Sequence, residues 1–341
     1  MKKAFFINGG LGRVLCAIPA LEHYVANTDP EAVIVVEAWM ELFLTSPALK
    51  NNVYQIGQKD LFRDKLLDRE LISPEPYRLN AYFNQKANLI QAFDMLINDL
   101  KEVPETKPIK TSLGKADQVF GHNMLAQARQ TLQREKIIVF QPFGSGARQD
   151  GNFIIDESGR SFELKDIYKI LEELGKYYGI ILMSHINLPQ NKALPVIAPE
   201  SVSTLQWLGI INASDYFLGC DSVGQHFAHA LNKPATVVIG STFPENISYP
   251  NNKQFTIIDN GKENRQYSPI RITTDPFIDR ANEDLMILSE ANINKIIKSV
   301  TDKLGKTKQK EFKIPDTVDT HVHSASCGHN QPPFAKKQNL I

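Results

Sequence analysis

The stretch DSVGQHFAHALNKP, residues 221–234, carries the most information about how this chain folds. One apolar run, residues 216–219, precedes it and another, residues 235–239, follows it, so the pattern predicts strand, polar turn, short helix and strand. The turn brings a carboxylate, a hydroxyl and a glycine to a strand's carboxyl end, where the next helix's amino terminus carries partial positive charge. Ligands of open α/β sheets bind at this edge. We therefore expect an anionic ligand here, most simply a phosphorylated one.

The beginning of the chain has a similar arrangement. Residues 4–7 are a short apolar run, the glycine-rich turn NGGLGR follows at residues 8–13, and residues 32–36 form a second apolar run. Strand, glycine turn, helix and strand make up the start of a βαβ unit, which predicts a parallel sheet. Whether the three glycines face a ligand or only shape a tight turn stays open, because such a turn requires glycine in either case.

Predicted strands and helices alternate along both halves of the chain, which favours two doubly wound α/β domains. A length of 341 residues suits two domains. The predicted strand at residues 136–140 leads into another glycine turn, so we place a boundary at residue 134. We expect an amino-terminal Rossmann-like domain at residues 1–134, a second domain at residues 135–304 and an irregular basic tail at residues 305–341. Residues 60–100 predict mostly helices with loops.

The composition excludes several classes of protein. The 38 basic and 38 acidic residues cancel, so no overall field favours nucleic acid or an anionic membrane. From Lys295 onward nine lysines face four acidic residues, a local net charge of +5, which suits either contact with phosphates or a solvated tail. Apolar stretches are too short for a membrane span, and polar residues interrupt the start that otherwise resembles a signal peptide.

Cysteine usage points to a reducing compartment. Cys16, Cys220 and Cys327 lie far apart, are odd in number and form no CxxC pair. We therefore expect a soluble cytoplasmic protein without a disulfide framework.

Four segments resemble the family 9 glycosyltransferases, the heptosyltransferase-like group with GT-B architecture. They are LCAIPAL (residues 15–21), IIVFQPFGS (residues 137–145), GRSF (residues 159–162) and DSVGQH (residues 221–226) with Ala228, Ala230, Leu231 and Pro234. The last is similar to the family's DSGxxHxAAAxxxP donor turn and is the most specific. The other three gain weight from their order and spacing. The resemblance extends over residues 1–300.

This resemblance implies a GT-B fold of two Rossmann-like domains facing across a cleft. It also implies an inverting, metal-independent transfer of a sugar from a nucleotide-diphosphate sugar to an acceptor hydroxyl, without a cofactor. The expected donor-binding residues of the second domain are Gly144, Ser145, Arg160, Ser184, His185, Asp221, Ser222, Val223, Gly224, Gln225 and His226. The expected acceptor- or phosphate-side turn of the first domain consists of Asn8, Gly9, Gly10, Leu11, Gly12 and Arg13.

One departure affects catalysis. The family commonly has an aspartate after the glycine of the first turn as general base, whereas this chain has Arg13 after Gly12. A guanidinium cannot accept a proton at neutral pH. Glu37, just past the second predicted strand, is our candidate base, and Asp60 and His122 are alternatives. Arg13 itself is a candidate for binding an anionic acceptor or the donor phosphates.

Three alternatives for function stay open at this stage. The acceptor is a glycan, a lipid-linked sugar, or an unusual one such as modified nucleic acid or protein. The missing aspartate also suits a nucleotide-sugar-binding protein that lacks transfer activity, and a sugar-nucleotide epimerase is a more distant option.

Individual residues also have simpler interpretations. Asp221 suits an N-cap as well as donor binding. His226 and His229 lie on one helix face and suit packing, donor contact or a metal pair. In the tail, the histidines and the cysteine of HVHSASCGH, residues 321–329, suit either zinc or incidental composition. We predict no metal site.

Overall fold

Two parallel sheets, one from each half of the chain, organise the structure. It is a computed structural model that describes residues 2–151, 153–156, 158–188, 194–266 and 284–307. The histidine-rich segment at residues 321–329 and most of the predicted tail lie outside the described residues, as does Cys327. Cys16 and Cys220 are buried free thiols.

The first sheet has the strand order β3-β2-β1-β4, with all neighbours parallel. Its strands are β1 (Lys3–Ile7), β2 (Val33–Val36), β3 (Val53–Gln55) and β4 (Glu70–Ile72). The helices of this half are α1 (Leu11–Asn27), α2 (Met40–Leu44), α3 (Asn80–Phe83), α4 (Leu89–Ile97) and α5 (Lys115–Leu132). The prediction of helices and loops for residues 60–100 missed β4, because a strand of three residues, two of them exposed, leaves no recognisable alternation of apolar and polar residues.

The second half begins with a strand and a short antiparallel hairpin, followed by five further strands. In chain order these are β5 (Ile137–Gln141), β6 (Arg148–Asp150), β7 (Phe153–Ile155), β8 (Gly179–Leu182), β9 (Val196–Ile197), β10 (Tyr216–Cys220), β11 (Ala235–Ile239) and β12 (Phe255–Asp259). The helices of this half are α6 (Leu164–Gly175), α7 (Thr204–Ala213), α8 (Val223–Ala230), α9 (Pro244–Ile247) and α10 (Glu290–Leu304).

Six of these strands form the second sheet, in the order β12-β11-β10-β5-β8-β9 and with all neighbours parallel. Counted along the chain this is the Rossmann order 3-2-1-4-5-6, in which the connections change direction between the first and fourth strands. That switch point lies between β5 and β10. The first sheet has its own between β1 and β4. Burial of β5, β8, β10 and β11 throughout explains their uninterrupted apolar sequences.

Two helices on either side of the predicted boundary pack closely. A Cβ on Gly121 of α5 would lie 2.2 Å from the carbonyl oxygen of Gly209 on α7, so only glycine permits this approach. Arg129 of α5 also pairs with Asp215, which precedes β10. The helix before residue 134 therefore packs against the second half, and the domain boundary itself stays a prediction.

None of the helices in the described part of the chain is both long and apolar enough to cross a membrane.

Candidate functional site

The two switch points lie against each other. We call residues 8–13 the first turn, residues 221–226 the second turn and residues 142–146 the Gly144 loop. A Cβ on Gly10 would lie 3.8 Å from Ser145 Oγ, and one on Gly12 would lie 3.0 Å from His226 Cδ2. The glycine turn of the first half thus contacts both predicted donor-side turns of the second half, as expected for parallel sheets facing across a cleft.

Backbone geometry accounts for at least one glycine of the first turn. Gly9 has a φ of 97°, a region that favours glycine. The Trp39 indole nitrogen donates a hydrogen bond to its carbonyl oxygen at 3.2 Å, so the loop after β2 holds this turn. Gly10 is the N-cap of α1, and no side chain caps the first amide groups of this helix.

Gln141, at the carboxyl end of β5, bridges the second switch point. Its side-chain nitrogen donates to Ser222 Oγ at 3.1 Å, and the backbone N–H of Gly224 donates to its oxygen at 2.9 Å. The sequence analysis did not select Gln141, although a polar residue at the end of a buried apolar strand is a usable signal. Because the Gly224 N–H already has this partner, it is not a free donor for a phosphate.

Asp221 is buried and held by two neutral donors. Gln225 Nε2 donates to its Oδ1 and Thr242 Oγ1 to its Oδ2, both at 2.8 Å. Burial raises the pKa of the Asp221 carboxyl, while the charge of Arg160 opposes that rise. The N-cap of α8 is Ser222, whose side chain makes no capping bond. The capping interpretation of Asp221 is therefore wrong.

Arg160 lies beside the second turn. Its Nε donates to Ser158 Oγ at 3.0 Å and its Nη1 to the Asp221 carbonyl oxygen at 3.4 Å. Burial would lower the pKa of Arg160, but the carboxylates of Asp221 and Asp156 raise it. A permanently charged guanidinium is thus anchored at the second switch point.

Asp156, which the sequence analysis missed, organises the loop around Arg160. It accepts the backbone N–H groups of Ser158 at 2.9 Å and Ser161 at 3.1 Å. The Ser161 hydroxyl in turn accepts the Gly144 N–H at 3.0 Å. Burial acts to raise the pKa of Asp156, but bonds from Ser158 and Ser161 and the charge of Arg160 outweigh it. No sequence motif identified this role, since the residue follows a short hairpin.

Ser184 and His185 lie just past the carboxyl end of β8, at the predicted edge. The Ser184 hydroxyl donates to the Ile186 carbonyl oxygen at 2.7 Å and accepts the Ile186 N–H at 2.9 Å, a local turn. His185 is exposed, and its Nε2 donates to the Ala147 carbonyl oxygen at 2.7 Å. Their contact with a nucleoside stays a prediction.

His226 is buried at the junction of the two halves. Its Nδ1 hydrogen-bonds the Tyr249 hydroxyl at 2.7 Å and lies 3.7 Å from Cys16 Sγ. Burial lowers the pKa of His226 to about 3, so the ring is neutral. His229 stacks on the Tyr249 ring with centroids 3.5 Å apart, and burial lowers its pKa to about 4. The Asn252 amide donates to His229 Nδ1 at 2.9 Å, so both histidines pack and hydrogen-bond.

A metal pair on this helix has no support in the contacts. Across the described ranges no cluster of three or more His, Cys, Asp or Glu side chains is arranged to hold a metal ion.

Arg13 has a partner that the sequence analysis did not identify. Its Nη1 lies 3.1 Å from Glu75 Oε1, and its Nη2 donates to the Pro74 carbonyl oxygen at 2.9 Å. Its guanidinium carbon lies 5.2 Å from the Tyr77 ring centroid and 5.7 Å from that of Phe93. Glu75 follows the missed strand β4, so no sequence signal placed it beside the first turn.

The other candidate bases occupy different surroundings. Glu37 is exposed directly after β2, at the same sheet edge as the first turn. Asp60 pairs with Arg63 at 3.5 Å. His122 is exposed on α5, which packs on the second half.

No protein-family model matches the chain, and no curated protein matches its sequence. Solved structures do match its fold. ADP-heptose lps heptosyltransferase II of E. coli aligns with a TM-score of 0.56 and 14% identity over 89% of this chain and 98% of that one. A glycosyl transferase family 9 protein of Veillonella parvula aligns with a TM-score of 0.58 and 10% identity over 88% and 96%.

A third structure is the iron-containing dodecameric glycosyltransferase TibC of enterotoxigenic E. coli, with a TM-score of 0.54 and 12% identity over 89% of this chain and 78% of that one. At such identities these matches show the fold alone. They confirm the predicted GT-B architecture and its likeness to heptosyltransferases.

Proposed function

We propose that this protein is a glycosyltransferase that moves a sugar from a nucleotide-diphosphate sugar to an acceptor hydroxyl. One observation carries the proposal: the second turn, the Gly144 loop and Arg160 gather at one switch point, directly against the glycine turn of the other sheet. Cofactor and substrate sites of doubly wound sheets lie at such points. The fold shared with glycosyltransferases supports this assignment.

The leaving diphosphate requires stabilisation of charge as the glycosidic bond breaks. Arg160 supplies a fixed cation with a planar fork that suits phosphate oxygens. The exposed hydroxyl of Ser145 adds a donor on the Gly144 loop, and the dipole of α8 adds partial positive charge. In this proposal the donor binds mainly to the second half, the acceptor binds mainly to the first, and the transfer is metal-independent and inverting.

Donor binding is tested by thermal unfolding with ADP-, GDP- and UDP-linked hexoses. A donor at 100 times its Kd stabilises the fold by about 2.7 kcal/mol, which is a measurable rise in Tm. The variant R160K keeps the charge but loses the planar fork, so we expect a smaller rise. The matched control is R63K, on an exposed arginine, which should keep the wild-type rise. A rise of equal size in R160K contradicts the proposed phosphate contact.

Transfer itself is tested by release of nucleoside diphosphate from the donor that binds. Turnover that persists in EDTA supports metal independence, and NMR of the released sugar before it equilibrates between anomers reports inversion or retention. Retention of the anomeric configuration would contradict the inverting assignment but not the transfer itself.

A second candidate is a nucleotide-sugar-binding protein without transfer activity. The cation Arg13 after the glycine of the first turn favours it, because a guanidinium cannot accept a proton there. A donor-dependent rise in Tm without release of nucleoside diphosphate would select this candidate.

A further inference from the structure

We propose that Glu75 is the general base that accepts the acceptor's proton, and that Arg13 is the residue that positions it. This inference rests on the proposed transfer function and names a catalytic residue for it. The first half supplies the carboxylate from the loop after β4, rather than from the first turn itself.

Topology brings Glu75 to the first switch point. β4 pairs in parallel with β1, with Phe5 opposite Ile72. The loop that carries Glu75 and the first turn therefore leave the same edge of neighbouring strands. Arg13, one residue after Gly12, spans the gap and binds the carboxylate. Thus Glu75 is adjacent to the turn that contacts the second half.

The two side chains of the ion pair differ in exposure, which suits a base. The Arg13 side chain is 4% exposed, whereas that of Glu75 is 32% exposed. The Arg13 guanidinium also contacts the Pro74 carbonyl and two aromatic rings, so we treat it as a fixed support. Both Glu75 oxygens contact the same nitrogen, Arg13 Nη1, at 3.1 and 3.3 Å. A carboxylate has about four lone-pair sites, so capacity to accept a proton remains.

The segment after Glu75 contacts the second half. Tyr77 packs edge-to-face on Tyr82, with centroids 5.5 Å apart, and Asn246 Nδ2 of α9 donates a hydrogen bond to the Tyr82 carbonyl oxygen at 2.8 Å. The segment that follows Glu75 is therefore bonded to the second half, to which we assign the donor.

The proposed step is a single displacement. The acceptor hydroxyl transfers its proton to the Glu75 carboxylate as its oxygen lone pair forms a bond to the anomeric carbon. The bond between that carbon and the phosphate oxygen breaks, and its electron pair leaves on the nucleoside diphosphate beside Arg160. Glu75 then releases the proton to solvent. Water takes the acceptor's place when no other hydroxyl is bound.

The decisive variant is E75Q, which keeps size and an oxygen for Arg13 but is a far weaker base. The probe is release of nucleoside diphosphate to water from whichever ADP-, GDP- or UDP-linked hexose raises the Tm of the wild type. We expect kcat to fall by about 10²–10⁴-fold, with the donor KM within about twofold of wild type. E173Q, on a surface ion pair of α6, is the matched control and should keep wild-type kinetics.

A second variant guards against a purely structural effect. In E75A, added formate or azide should restore part of kcat, because a small anion in the vacated space replaces the base. R13M should lower kcat by about tenfold at unchanged KM, and the same anions should not restore it, because Glu75 is still present.

Two outcomes contradict the role of Glu75 while leaving the proposed transfer function intact. One is wild-type kcat in E75Q, and the other is loss of kcat in E37Q while E75Q remains active. If no donor raises the Tm and the wild type releases no nucleoside diphosphate, the proposed transfer function itself is contradicted. This result differs from the two outcomes that concern Glu75 alone.

Discussion

The two switch points differ in how their polar groups are satisfied. At the second, Asp221 and Gln225 are buried and linked to each other and to neutral hydroxyls. At the first, the main polar contact is a charge pair with one buried and one partly exposed partner, Arg13 and Glu75. Buried and fully bonded groups hold a backbone in place, whereas an exposed charge remains available for chemistry. Changes at the second point should therefore affect folding most, and changes at the first should affect turnover.

The largest effect on stability is expected from D221A. It leaves the Gln225 amide and the Thr242 hydroxyl without their acceptor and removes a counter-charge of Arg160. Loss of one partner of such a buried arrangement costs about 3–5 kcal/mol in the free energy of unfolding. Urea denaturation measures this. D60A, which removes an exposed ion pair, is the control and should cost under about 1 kcal/mol. Equal losses in the free energy of unfolding for D221A and D60A would contradict the difference between the buried and the exposed carboxylate.

Glycine substitution gives the next largest difference. A Cβ on Gly224 would lie 2.3 Å from Phe217 Cζ and 2.5 Å from Gln141 Oε1, so G224A overpacks the second switch point. Its expected cost is about 1–3 kcal/mol. At the first turn, a Cβ on Gly10 meets nothing nearer than 3.8 Å, and G10A should cost less than about 1 kcal/mol, chiefly through the N-cap. Equal unfolding midpoints for the two variants would contradict this asymmetry.

His226, between the two regions, predicts a pH dependence. Its pKa falls from 6.5 in the unfolded chain to about 3 in the fold, so the unfolded state binds more protons between these values. Stability therefore decreases as pH falls below 6.5, by about 1.4 kcal/mol per pH unit. Between pH 7 and pH 5 this amounts to about 2 kcal/mol from His226.

Urea denaturation at both pH values measures the difference. H226N should lose this part of the dependence, while H122N, on an exposed histidine of α5, should keep it. An unchanged slope in H226N would show that the ring titrates normally.

The smallest stability change is expected from S145A. The Ser145 side chain is exposed on the Gly144 loop, so its loss should alter the free energy of unfolding by less than about 0.5 kcal/mol. If the hydroxyl bonds a donor phosphate, the Kd for the donor should rise about tenfold. Titration calorimetry separates the two effects. An unchanged Kd removes Ser145 from the donor site.

Local sequence was sufficient for some of the candidate site. Residues 216–239 folded as predicted, because a buried strand, a polar turn and a short helix each leave a contiguous pattern. The partners of that turn were not predictable. Gln141 and Thr242 reach it from distant parts of the chain, and Asp156 acts through backbone groups of its own loop. Such contacts depend on which strands become neighbours.

The first switch point shows even more clearly the difference between features that local sequence predicts and contacts that it does not. The sequence by itself determined the alternation of strands and helices, the glycine turns at strand ends and the replacement of an expected carboxylate by Arg13, since these are local properties of chain and side chain. Only the tertiary structure decided that β4 pairs with β1 and so brings Glu75 to Arg13 across 62 residues. The physical reason is that strand order is set by packing of whole layers, which no short window of sequence contains.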